Sequence, residues 1–223
     1  MDWNIITGYI INELFPRLTE ILISPWLHRE TLWMVIPLTV LLFFIEAYFG
    51  RNKTEQLGWE GAFANAVSLF WIAILLIKFL IESTPSAQLF YGQSLRGFVL
   101  IGVMFIWSLV LIISDYFHSL PKRFAYIISS PIPINVTAYI FIVLIIGSIP
   151  LDLTTILASI TILILITIFF VLFRALFTPS ESAKKTLMIK HKKALKKREL
   201  KKEIREEKIK EAKEKLISFI KKE

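Results

Sequence analysis

Apolar residues come in long blocks along this chain, separated by short polar connections. Residues 31–49, 62–82, 98–118, 134–149 and 153–173 form five such blocks, and the last of them carries no charge at all. About 20 apolar residues in a helix cross a hydrocarbon core of roughly 30 Å, so each block predicts a spanning helix. The predicted fold is all-α: a polytopic helical membrane protein of about five transmembrane helices.

The first 30 residues read differently. Ile11, Leu14, Leu18, Ile21 and Leu22 recur at helical spacing, but Glu13, Pro16, Arg17 and Glu20 interrupt the stretch, and Trp3 and Trp26 bracket it. Charged positions on one face and bracketing tryptophans predict an interfacial amphipathic segment over 1–30, kinked or broken near Pro16. The alternative is a poor additional span.

The run from 124 to 151 contains no charge. As one helix it would measure about 42 Å, too long for an untilted span. Pro131 and Pro133 divide it. The expected helix is 134–149, with Pro133 as its starting residue. Residues 124–130 then form a short apolar segment along the cytoplasmic interface. A re-entrant loop is the alternative.

Composition supports the membrane reading. The chain has 223 residues, 55% of them hydrophobic, and a mean hydropathy of +0.63. A soluble domain of that composition could not cover its surface with charge. Isoleucine abundance, plentiful Lys and Glu and only three glutamines fit an archaeal or heat-adapted composition; an AT-rich genome would bias codons the same way. Met1-Asp2-Trp3 lacks a basic lead, so no cleaved signal peptide is expected.

Charge is partitioned unevenly. Residues 181–223 hold 17 basic and 8 acidic side chains, and everything before them is nearly balanced. The net +8 of the chain therefore belongs to this segment. Thr178-Pro179-Ser180 ends the last span, and Ser180 is placed to cap a new helix. By the bias of basic residues toward the cytoplasm, the 181–223 tail lies inside. Counting back through five spans also puts Lys122, Arg123, Arg51 and Lys53 inside and the N-terminus outside. The expected location is the cell membrane.

The domain organisation that follows is a 1–30 interfacial segment, a 31–177 membrane domain and a 181–223 basic helical tail. Within the tail, Lys184, Lys185, Lys190, Lys192, Lys193, Lys196, Lys197, Arg198, Lys201 and Lys202 face one acid, Glu199. Lysines immediately after a span meet anionic headgroups at about 1 kcal/mol each. They would also attract nucleic-acid phosphates or the ribosome, but no aromatic residue is interleaved to stack on bases. Farther along, Ile209, Ala212, Leu216 and Phe219 line one helical face, which a cytoplasmic protein partner could engage. A solvated lysine run that only fixes topology is the plainer reading.

Intramembrane carboxylates are the other chemical signal. Glu46 and Asp115 each lie about one turn inside the cytoplasmic end of a span. If their helices are neighbours, the two share a depth, with Arg51, Lys122 and Arg123 as counter-charges. They then form either interfacial ion pairs or a proton or cation site. Lys78 and Glu82, four apart, should pair with each other, and Asp152 should cap the last span.

Catalytic patterns are missing. The chain has no cysteine, and its three histidines, His28, His118 and His191, show no ligand spacing. No nucleophile elbow, zinc-protease helix, phosphate loop or dinucleotide fingerprint occurs. We therefore expect no enzyme activity, metal or cofactor. The main expectation is a membrane anchor or interaction protein acting through its basic tail. The alternative is a small transporter or channel subunit, acting as a homo-oligomer, with Glu46 and Asp115 in its pathway.

Overall fold

A computed structural model describes residues 7–55, 57–88, 91–181, 183–189, 191–193 and 201. No strand occurs among them. The principal helices are α1 (Phe15–Leu27), α2 (Arg29–Arg51), α3 (Trp59–Ser83), α4 (Gly92–Tyr116), α5 (Lys122–Ile128), α6 (Pro131–Ile146) and α7 (Leu153–Ala175). Five helical stretches are long and apolar enough to cross a membrane: α2, α3, α4, α5 and α6 taken together, and α7. That fits a multi-pass membrane protein. Its exterior fits as well, since Phe44, Trp71, Val99, Ile106, Leu165 and Val171 all face outward. A protein in water would bury such a set; one in lipid has no reason to.

The most intimate helix pair is α3 with α4, and α6 runs against α1, α3, α4, α5 and α7. This centrality shows in burial: 56% of the α5–α6 apolar window is buried, against 17% for α2 and for α7. The sequence offers a reason. Asn135 and Tyr139 are polar groups that lipid cannot satisfy, and both find partners inside. Asn135 Nδ2 donates to the Pro131 carbonyl at 2.8 Å, and the Tyr139 hydroxyl donates to the Ile21 carbonyl at 2.9 Å. Helix α2 stands farther off and joins the bundle through side chains, mainly Phe43 edge-on to Phe169, Phe170 and Phe173 of α7.

Several boundaries differ from expectation for identifiable reasons. Helix α4 begins at Gly92, six residues before the expected 98, because Arg96 does not end it. Its guanidinium instead reaches the Ile149 carbonyl. The same helix stops at Tyr116 rather than 118, where His118 turns left-handed at φ 51°. Helix α6 starts at Pro131, not at 134, and ends at Ile146 instead of 149, with α5 preceding it in the same apolar stretch. Both prolines fall in its first turn, where their missing N–H groups have no intrahelical acceptor anyway.

At the N-terminal end the chain does not break at Pro16. A widened π turn, Ile10–Leu14, leads straight into α1. The extra width accommodates a proline ring that would otherwise crowd the preceding turn. The break comes at His28, whose backbone is extended. Helix α1 lays Ile21, Ser24 and Pro25 against the bundle, and a Cβ on Gly147 would come within 2.6 Å of the Ser24 hydroxyl. Tyr9 meets Thr154 at 3.0 Å, and Arg17 bridges Glu20 and Asp152.

Candidate functional site

Both carboxylates singled out in the sequence are buried, but each has its own partners. Glu46 on α2 is 0% exposed. Arg174, in the last turn of α7, closes on it with two parallel bonds, Nε to Oε2 and Nη2 to Oε1. This fork geometry is the strongest arrangement a guanidinium and a carboxylate can make. The Arg174 guanidinium also lies 5.7 Å from the Phe49 ring centre, so its far face is covered by an aromatic. The expected counter-charges, Arg51, Lys122 and Arg123, do not fill this role. Lys122 instead extends over the Tyr126 ring.

Helices α2 and α7 meet closely beside this pair because position 50 is glycine. A Cβ there would lie 2.8 Å from the Phe177 ring and 3.2 Å from the Arg174 backbone. Small residues at helix contacts let backbones approach where no hydrophobic force drives them together.

Asp115, in the last turn of α4, is 1% exposed. Its Oδ2 accepts a 2.8 Å bond from the Ser129 hydroxyl, and its Oδ1 has no hydrogen-bond partner among the described residues. Ser129 lies at the bend between α5 and α6 and is itself fully buried. The Ser129 carbonyl accepts from Asn65 Nδ2 of α3 at 2.8 Å. Three elements are thereby tied together: α3, the end of α4, and the bend. Next to them His118 stacks on Trp59 at 4.3 Å, and Trp59 meets Tyr126 edge-on. Replacing Ser129 with alanine leaves both Asp115 oxygens without a bond. We expect a loss of about 1–3 kcal/mol, read as a lower unfolding midpoint in detergent.

Glu46 and Asp115 do not form one paired site. One joins α2 to α7, and the other joins α4 to the bend. Neither Arg174 nor Asn65 was expected here; Ser129 was legible as a polar group beside the proline break, but not as the partner of Asp115. Arg174 was legible only as a span boundary, although it is the one cation in the last turn of that helix. Nothing local in the sequence pointed to Ser129 or Asn65 as partners.

At the opposite end of the bundle the local expectations can be checked directly. Lys78 and Glu82 pair at 3.7 Å. Asp152 accepts a 2.7 Å bond from the Thr155 backbone N–H at the start of α7. That bond, more than the nearby Arg17, holds the Asp152 carboxyl below the usual carboxylate range.

After the last span, the Ser180 hydroxyl accepts from the Ala183 N–H at 3.3 Å, capping a helix that includes 183–189. Lys184, Lys185, Lys192, Lys193 and Lys201 are exposed. Lys190, Lys196, Lys197, Arg198 and Lys202 lie outside the described residues, as does the 204–220 face. Among the described residues no group of three His, Asp or Glu side chains could hold a metal ion. Compared with protein-family models, curated proteins and solved structures, the chain matches none.

Proposed function

We propose that this chain is a non-enzymatic, multi-pass membrane anchor that presents its basic tail to an anionic membrane surface or a cytoplasmic protein. The reading supposes insertion in the cell membrane with the C-terminus cytoplasmic and the N-terminus outside. One observation carries it against the transport reading: Glu46 is already saturated by Arg174 in a two-bond fork. A carboxylate held this way is a fastener and not a vacant cation ligand. Asp115 is fixed by Ser129 at another helix contact, so the two do not line a shared path.

The functional burden then falls on the tail. Its lysines follow the last span directly, within reach of headgroups over a Debye length of about 8 Å. Clustered lysines without aromatics suit a charged surface better than unpaired bases.

The test neutralises Lys184, Lys185, Lys192, Lys193 and Lys201 together to glutamine in the full chain. Photo-crosslinking in native membranes then records which lipids and proteins the tail touches. The reading requires insertion to persist and the tail's crosslinks to fall by most of their intensity. Unchanged crosslinks, or a tail protected from protease on the cytoplasmic side, would sink it.

A further inference from the structure

A two-chambered cleft opens between α2, α3 and the bend before α6. The first chamber, about 370 Å³, is apolar and lies between Phe44, Ile45 and Tyr48 of α2 and Gly61 and Ala64 of α3. Phe49, Leu57 and Pro131 line both chambers and mark where they join. The second, about 450 Å³, has a different lining: Arg123, Arg174, Tyr126, Ser130 and Glu55. An apolar slot beside a chamber whose mostly apolar wall carries two arginines and a glutamate matches an amphiphile with one tail and one polar head.

The charges define the head. Among the described residues, Arg123 is exposed and has no ion pair or hydrogen bond. Arg174 directs Nε and Nη2 to Glu46, and no described acceptor meets its Nη1. Two guanidiniums lining one chamber suit an anionic head, and a phosphodiester can meet both with its two free oxygens. Glu55 adds one negative group at the same chamber, held by the Tyr48 hydroxyl. A purely anionic head would meet that carboxylate unfavourably; a head that carries an ammonium beside its phosphate would not.

We infer that this cleft binds a membrane glycerophospholipid of the aminophospholipid kind. Its phosphodiester lies between Arg123 and Arg174, its ammonium is near Glu55, and one acyl chain runs between α2 and α3. The site is separate from the tail lysines and does not depend on them.

Native mass spectrometry of the full chain tests this, after release from nanodiscs holding equal phosphatidylethanolamine and phosphatidylglycerol. The wild type should retain one lipid, enriched in phosphatidylethanolamine. Arg123→Gln alters only an exposed side chain and should lower retention about tenfold, the effect of losing one charged hydrogen bond. Ala64→Trp fills the slot from its exposed side and should lower retention of both lipids equally. Glu55→Gln should keep the lipid and bring the two headgroups to parity. The glutamine-substituted tail should retain lipid as the wild type does. A wild type without retained lipid overturns the inference, and so does undiminished retention in both Arg123→Gln and Ala64→Trp. Loss of retention only in the tail variant would assign the lipid to the lysines and overturn it equally.

Discussion

Replacing Arg174 with methionine should destabilise the folded bundle by about 3 kcal/mol, the low end of the cost of orphaning a buried charge. Glu46 is fully enclosed, so without the guanidinium its carboxylate loses two charge-assisted bonds and gains no water. The low end applies because Arg174 itself is 39% exposed. Its own desolvation on pairing is therefore partial, and so is its share of the loss. The double replacement, Glu46→Leu with Arg174→Met, should recover most of the stability. Two packed apolar side chains substitute well for a buried pair once neither charge is left alone. The measurement is a double-mutant cycle of unfolding free energies in mixed detergent micelles. A coupling near zero would mean that the fork adds nothing to the contact between α2 and α7.

The second large effect is expected at Gly50. A leucine there should cost about 1–3 kcal/mol from overpacking alone. The Phe177 ring can swing aside, but the Arg174 backbone 3.2 Å from the new Cβ cannot. Relief comes only if α2 moves away from α7, and that lengthens the Glu46–Arg174 bonds. Alanine should cost less than leucine but still destabilise, since its Cβ alone meets the Arg174 backbone at 3.2 Å. The last turn of a helix returns only part of the propensity gain of about 1 kcal/mol over glycine. The diagnostic is non-additivity. In the Arg174→Met background, Gly50→Leu should cost measurably less, because part of its cost is the pair it disrupts. An identical cost in both backgrounds would show that glycine serves packing alone.

Much of this fold is legible from hydrophobic blocks because lipid imposes a simple rule. Every spanning segment must satisfy its own backbone and expose carbon. The rule identifies α2, α3, α4 and α7 without reference to their neighbours. It fails where a charge belongs to a helix by reaching out of it. Arg96 looked like a boundary, yet it lies within α4 and bonds the Ile149 carbonyl 53 residues away. It also fails at Pro131 and Pro133, since either can begin a helix and only the packed bend at Ser129 decides between them.

The candidate site was legible in part for a related reason. A carboxylate inside an apolar block is conspicuous, so Glu46 and Asp115 were evident. Which cation or hydroxyl meets it depends on which helices become neighbours. Glu46 and Arg174 are 128 positions apart. Arg51, Lys122 and Arg123 were the natural guesses because they share a charge and an end of the bundle. Arg174 takes the role instead, through a contact between α2 and α7 about which one sequence carries little information. For the tail, charge asymmetry was plain in the sequence, but charge alone does not specify a partner.

The docking of α1 has a consequence in time. Its anchors are Tyr139, Gly147 and Asp152, with Thr154 holding Tyr9 just ahead of it, so α1 waits for residues synthesised far later. Ile21 and Tyr139 are separated by 118 positions. At roughly 5–20 residues per second, that delay is about 6–24 s. Throughout it, α1 is without these contacts. The seat of α1 is therefore incomplete until α6 and the start of α7 have been made.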